Sequence, residues 1–412
     1  MNTPIMLDAK RVGRWQLGVI VAGSAALLGC IAGAIIAPAH FFQVYLISYL
    51  FLLGVTLGGM ALLMIHRLTG GAWGLLVRRV LEAQMKTLPL MALLFLPIVF
   101  GLPHLYAWAV PPITVGAGLA RFKGVYLEPQ FFLWRAAAYF ACWLLLALAL
   151  TWFSRRQERT GNVRDAWMCM NLSGPGLVAY GVSLHFAAID WVMSVQPGFH
   201  STIFGPLIAA GQLLSGLACC LVIFAWLVAP RLKTHEAYSV KAVNDLGGLL
   251  FTLVIVWAYM VWFQFMLVWM ANLRAGGVWY VVRARGVWPW VALAVFALHF
   301  VVPFFLLLLR AVKQNPKFVA GVASLLLTMQ LVYMYYQVLP SYASAPLWQG
   351  WIDACVMLFL GGAWLALFLQ FLKSAPLLPA HDVSLPQAIR LRKLDEEEAA
   401  RKRRFVAERG AT

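Results

Sequence analysis

Charge is scarce in this chain. Charged residues are 11% of its 412 positions, against roughly a quarter in an ordinary soluble domain. Acids are scarcer than bases, 15 Asp and Glu against 32 Lys and Arg. A soluble enzyme is excluded. The six cysteines contain no CxxC spacing, which removes a disulfide scaffold and the common metal frameworks. A CxxCH haem site, a Walker loop and GxGxxG are missing too. The chain is therefore expected to bind no c-type haem, iron–sulfur cluster or metal of its own, and no catalytic residue is assigned.

What is present is apolar. Hydrophobic residues make up 63%, in runs of about twenty or more, the length that crosses a bilayer as a helix. A β-barrel would need short alternating strands. Ten spans follow: Trp15 to Ala37, Phe41 to Ile65, Thr87 to Val110, Phe131 to Phe153, Trp167 to Met193, Ile203 to Ala229, Leu246 to Ala271, Trp288 to Leu309, Phe318 to Leu339 and Gln349 to Leu372. This divides the chain into a short segment 1–14, a ten-helix domain 15–372 and a charged tail 373–412. The first apolar run is too long for a signal peptide.

Loop charge orients the spans. With the amino terminus cytoplasmic, only Arg121, Lys123, Arg274, Arg283 and Arg285 fall outside, and Arg135 lies within a span. Every other Lys and Arg falls inside. The positive-inside rule then places both termini in the cytoplasm. The net charge of +17 is explained by this asymmetry and by anionic lipid headgroups, with no need for nucleic acid. Between the second and third spans, GLLVRRVLEAQMK reads as an amphipathic helix on the inner surface. The tail ends in LRKLDEEEAARKRR, a solvated helix or a dock for headgroups or a partner.

Ionisable groups inside a membrane are costly and are site candidates by default. Asp190 and Asp353 stand near outer helix ends, and Asp245 at the inner mouth of span seven. Arg135 is expected to snorkel to the outer face. His104, His185 and His299 fall about 9, 12 and 16 Å below that face by helical rise. Tyr180 and Tyr259 are neutral donors deeper in, so a proton route is expected to be equipped mainly in the outer half, with Asp190 and His185 as its core. No span carries two histidines, which excludes a dihaem pair of the kind with two ligands on one helix. Pro175, in NLSGPG, is expected to free the Asn171 carbonyl and break span five. Trp279, Trp288 and Trp290 suit an interfacial belt.

The segments LHFAAIDWVMSVQPGFHSTIFG, VNDLGGLLFTLVIVWAYMVWFQFMLVWMANL and VWYVVRARGVWPW, with LPHLYAWAV and YLEPQFFLWRAAAYFACW, resemble the ActF membrane subunit of Alternative Complex III. That complex is a bacterial quinol:cytochrome c oxidoreductase, and its ActF belongs with the NrfD-like polysulfide-reductase membrane subunits. The resemblance spans about Leu88 to Phe371, and DWVMS followed by STIFG is its specific part. It implies an all-α polytopic fold of two four-helix bundles plus two flanking helices, in the bacterial inner membrane. It also implies a chain that scaffolds an ActC-like quinol subunit and conducts protons. Quinol, haem c and iron–sulfur clusters would then sit on partners: the quinol subunit, an iron–sulfur subunit and c-type cytochrome subunits. Whether this chain itself binds a quinone stays open. Gln196, Gly198, Asn244 and Arg274 stand where the family more often has titratable groups or acids. The alternatives are a secondary transporter of a small solute, and a membrane transferase working with Asp190 and Asp353.

Overall fold

The computed structural model describes residues 5–110, 126–196, 198–272, 274–342, 349–378 and 385–410, with backbone alone at 274–275, 398–400 and 402–410. These residues form helices and turns, without a strand among them. Ten helices are long and apolar enough to cross a membrane: α1 (Ala9–Ile36), α2 (Pro38–Thr69), α3 (Ala72–Phe100), α4 (Pro129–Thr160), α5 (Val163–Val195), α6 (Phe204–Leu232), α7 (Val240–Ala271), α8 (Trp288–Leu308), α9 (Pro316–Ser341) and α10 (Gly350–Lys373). An eleventh, α11 (Leu385–Gly410), forms the tail.

Local chemistry sets the helix starts. Asp8, Asn162, Ser239 and Asn315 each accept backbone N–H groups at an amino terminus, as capping requires. Pro38, Pro129 and Pro316 occupy first-turn positions, where no N–H is needed. Helix α1 thus begins at Ala9, inside the segment 1–14 that the sequence suggests is separate.

Helices α2 to α5 pack as one bundle and α6 to α9 as a second. The first and last spans lie along each other outside both, chiefly against α2. The two bundles meet where α2 crosses α6, and α2 is buried along nearly its whole length. That crossing is close because Gly58 and Gly216 face each other: a Cβ on Gly216 would stand 2.7 Å from the Gly58 carbonyl carbon. Small residues allow such contact in a membrane, where packing rather than the hydrophobic effect joins helices.

The interruptions differ from the expected one. Helix α5 runs through Pro175 without a break. The second half of helix α3 is interrupted instead, as Leu88–Leu93 and Leu96–Phe100, and a further turn, Leu102–Leu105, follows it; each has proline in its first turn. Tyr45 and Tyr49 of α2 donate to the Leu94 and Met91 carbonyls at 2.9 and 3.0 Å, so protein covers the irregular backbone as lipid demands. Helices α6 and α8 contain π turns at Phe224–Val228 and Phe296–Val301. Pro230 and Pro303 follow them and disturb the carbonyls four residues earlier, at Trp226 and His299.

The stretch Gly74 to Lys86 is also different from its sequence reading. It does not lie on a surface. Its residues from Gly74 to Met85 are buried, and it forms the first half of α3 against α2, α6 and α10. The third span therefore starts at Ala72, not Thr87. Because the ends of the helices alternate, the heavily basic loops share one end of the molecule, here termed the basic end.

Candidate functional site

Polar side chains collect at three levels. At the end opposite the basic one, Arg135 of α4 turns inward rather than snorkelling. Its Nε and Nη2 donate to both Asp190 carboxylate oxygens at 2.8 and 3.0 Å. Tyr139 donates to Asp190 Oδ2 at 2.9 Å, and Asp190 is fully buried. The guanidinium also lies over Tyr126 and Phe131, 3.9 and 4.5 Å from their ring centres. Outside the spans, burial and the nearby Asp190 carboxylate push the Tyr126 phenol up to about 12. The carboxylate expected to carry protons is thus held by a fork of charge-assisted bonds. His185 does not join it; that imidazole packs against Gly205 at the start of α6.

Two other contacts sit at this end. Asp353, at the start of α10, lies 2.8 Å from His40 Nε2 on α2. His104 stacks on Phe42 with ring centres 5.3 Å apart. Arg283, placed in an outer loop by the sequence, is buried. It donates to Gln196 Oε1 at 3.1 Å and to the carbonyls of Trp279 and Tyr336 at 3.0 and 2.9 Å. It also donates to the Gln337 carbonyl and to Ser341 Oγ, and its Cζ stands 3.6 Å from the Trp279 ring centre. Trp279 is therefore an internal platform and not part of an interfacial belt. Burial pushes the Arg283 guanidinium down to about 9, which leaves it charged at neutral pH.

The middle level is the seam between the bundles. Tyr180 of α5 donates to Gln212 Oε1 of α6 at 3.0 Å. Gln212, Ser215 and Gln330 line a cavity of about 20 Å³, room for about one water. Gln330 Oε1 is buried there without a hydrogen-bond partner. Thr56 and Thr87 are 3.0 Å apart, and Trp364 of α10 donates to Thr56 at 2.8 Å.

The third level, at the basic end, holds the densest charge. Glu82 accepts from Arg78 at 3.0 Å, from Arg79 at 2.8 Å and from Ser154 at 2.8 Å. Arg79 also pairs with Glu158 at 2.5 Å, and Arg67 donates to Ser154 and Gln157. Arg78 and Glu82 are 0% and 2% exposed. The sequence reading gave this half only neutral donors, because it assigned VRRVLE to a surface helix. The usable signal was the i, i+3 and i, i+4 spacing that sets Glu82 beside Arg79 and Arg78 on one helix face, where the acid can neutralise both cations. His40, Gln212 and Gln330 were missed as well.

The remaining candidates lie apart. Asp245 is exposed near the basic end of α7. Tyr259 is exposed on α7 and stacks on Phe263. His299 is fully buried in the π turn of α8, its ring centre 4.1 Å from that of Trp257. Among the described residues no three His, Cys, Asp or Glu side chains converge as a metal site would require. The tail folds back on its own chain: Asp395 accepts from Ser239 Oγ and Val240 N at 2.7 and 2.8 Å, at the amino terminus of α7. The chain matches no family model and no curated protein sequence; the ten helices among the described residues that are long and apolar enough to cross a bilayer make it an all-α multi-pass membrane protein.

Proposed function

We propose that this protein is a membrane subunit of a quinol-oxidising respiratory complex of the Alternative Complex III type. It would lie in the bacterial inner membrane with both termini cytoplasmic and scaffold a quinol-binding sister. The observation that supports the reading is the arrangement of two four-helix bundles, in chain order, with paired first and last helices outside them. That is the architecture the sequence resemblance implies. The haem and iron–sulfur groups would belong to partner subunits.

A proton role moves away from Asp190 on this reading. The seam along α2 is better equipped, with His40 and Asp353 at one end and Tyr180, Gln212 and a water-sized cavity midway. The Glu82 network stands at the other end.

Purification in mild detergent from native membranes, followed by mass spectrometry and a reduced-minus-oxidised spectrum, tests the assignment. A second ten-span subunit, a multi-cysteine iron–sulfur subunit and a haem c signal are expected to co-purify. A lone, redox-silent protein would overturn the proposal. That outcome would favour solute transport, to which the interruptions of α3, α6 and α8 lend support, since transporters use broken helices.

A further inference from the structure

The Glu82 network leaves positive charge over. Glu82 and Glu158 pair with Arg78 and Arg79, and Arg67 stands 4.0 Å from Glu82. Lys86, one turn further along α3, has no hydrogen bond or ion pair among the described residues. The charges that act on it are Glu82, Arg79, Glu158 and, on α4, Arg155. Lys86 is half-buried and Arg155 is exposed, so a ligand can reach both from outside. Neighbouring cations at the edge of a membrane repel one another unless an anion comes between them.

Each of these two cations ends an exposed apolar stripe. On α3, Pro89, Leu93, Leu96 and Phe100 are exposed and follow Lys86 at steps of three and four residues, which keeps side chains near one helix face. On α4, exposed Leu145, Leu148 and Trp152 lead to Arg155 at the same steps. The two helices lie side by side: the Phe95 and Phe140 ring centres are 5.3 Å apart, and Arg79 pairs with Glu158.

Depth fits a lipid. From Lys86 to Leu105, where the last turn ends, helical rise gives about 28 Å, close to the roughly 30 Å of a hydrocarbon core. Lys86 therefore stands at headgroup level. The stripe from Pro89 to Phe100 is about 16 Å long by rise, as long as one leaflet of that core is thick.

We propose that this corner of α3 and α4 binds one anionic phospholipid of the leaflet at the basic end, with its phosphate shared by Lys86 and Arg155 and an acyl chain along Leu93, Leu96 and Phe100. Phosphate oxygens accept charge-assisted bonds from both cations, and basic pockets between spans hold such headgroups. A zwitterionic lipid brings an ammonium group of its own, which the two cations repel. A helix of a partner protein would also cover the stripes, but it would have to bring a carboxylate to the depth at which a lipid already carries its phosphate. The inference rests on these charges and stripes alone and holds whether or not the chain belongs to a respiratory complex.

The test titrates delipidated full-length protein in detergent with phosphatidylglycerol, or with phosphatidylcholine of the same acyl chains, and counts bound lipid by native mass spectrometry. Phosphatidylglycerol is expected to form one saturable adduct, roughly tenfold or more tighter than phosphatidylcholine. Lys86→Gln with Arg155→Gln should remove that preference. Should this pair not fold, Arg155→Gln alone, at an exposed position, should weaken phosphatidylglycerol roughly fivefold, the effect of one basic residue beside an anionic lipid. Arg159→Gln, also exposed at this end, should change nothing. Glycerophosphoglycerol, the headgroup without its chains, should not compete. In native membranes, a photoreactive benzoylphenylalanine in place of Leu93 should cross-link to phospholipid. Equal binding of the two lipids, or a preference indifferent to Lys86 and Arg155, overturns the site. Competition by the chain-free headgroup, or capture of another protein instead of lipid at position 93, overturns the ligand.

Discussion

At the scale of single residues, the lesson is how partners change the meaning of a charge. Asp190 read alone in a span is a proton site; Asp190 with Arg135 and Tyr139 on its oxygens is a tie between α4 and α5. Asp190→Asn is therefore expected to cost stability, about 3 kcal/mol or more, because it leaves a largely buried guanidinium without its charge partner. Arg135→Leu with Asp190→Leu should recover much of that loss. Thermal melting in detergent measures both. In energised vesicles, an Asp190→Asn protein that assembles normally but releases fewer protons per electron would contradict the structural role. Tyr126 gives a pH signature. Its folded pKa is raised to about 12 from an ordinary value near 10, so the fold keeps a proton that the unfolded chain has lost. The stability it contributes is present below pH 10 and disappears as pH rises towards 12. Tyr126→Phe should flatten that stretch of the alkaline unfolding curve; an unchanged curve counts against the assignment.

At the scale of elements, composition made the ten helices legible but not where they break. An apolar run looks the same whether its helix is straight or interrupted. Pro175 sits inside a continuous α5, whereas Pro89, Pro97 and Pro103 follow closely enough to divide the second half of α3 and the turn after it into short pieces. What makes the division tolerable is on another helix, and no local pattern displays it. Replacing both Tyr45 and Tyr49 by Phe should leave the Leu94 and Met91 carbonyls buried without a donor. The expected loss is about 2–4 kcal/mol for the pair, read as a lower melting temperature with the same far-UV helix content. The tail shows the same limit. Its charge pattern signalled a helix, but the contact of Asp395 with the start of α7 depends on how the chain folds back. Asp395→Ala removes a capping acceptor, worth about 1 kcal/mol. It should speed hydrogen exchange at residues 240–242 while leaving the rest of α7 protected. Unchanged exchange there would show that α11 does not hold that end.

At the scale of the whole molecule, the two interfaces that set the architecture each include a close backbone approach at glycine. Hydropathy identifies a span but is silent on which neighbour it touches, so neither the α2–α6 crossing nor the α1–α10 pair was visible in the apolar pattern. The resemblance supplied the expectation of two bundles and two flanking helices, and the contacts bear it out. The crossings are not equivalent. A Cβ on Gly216 would meet the Gly58 carbonyl carbon and the Gly59 nitrogen, both at 2.7 Å. Both atoms are backbone in the most buried helix of the protein, so neither can swing aside. A Cβ on Gly362 meets the Gly23 Cα at 3.2 Å, in a pair of helices that covers the outside. Gly216→Leu is thus expected to prevent the two bundles from joining, with little monodisperse protein on gel filtration in detergent. Gly362→Leu should yield a folded protein whose α1 is cut more readily by protease, because only the outer pair is pushed apart. Equal recovery of the two variants would mean that the central crossing is not what holds the bundles together.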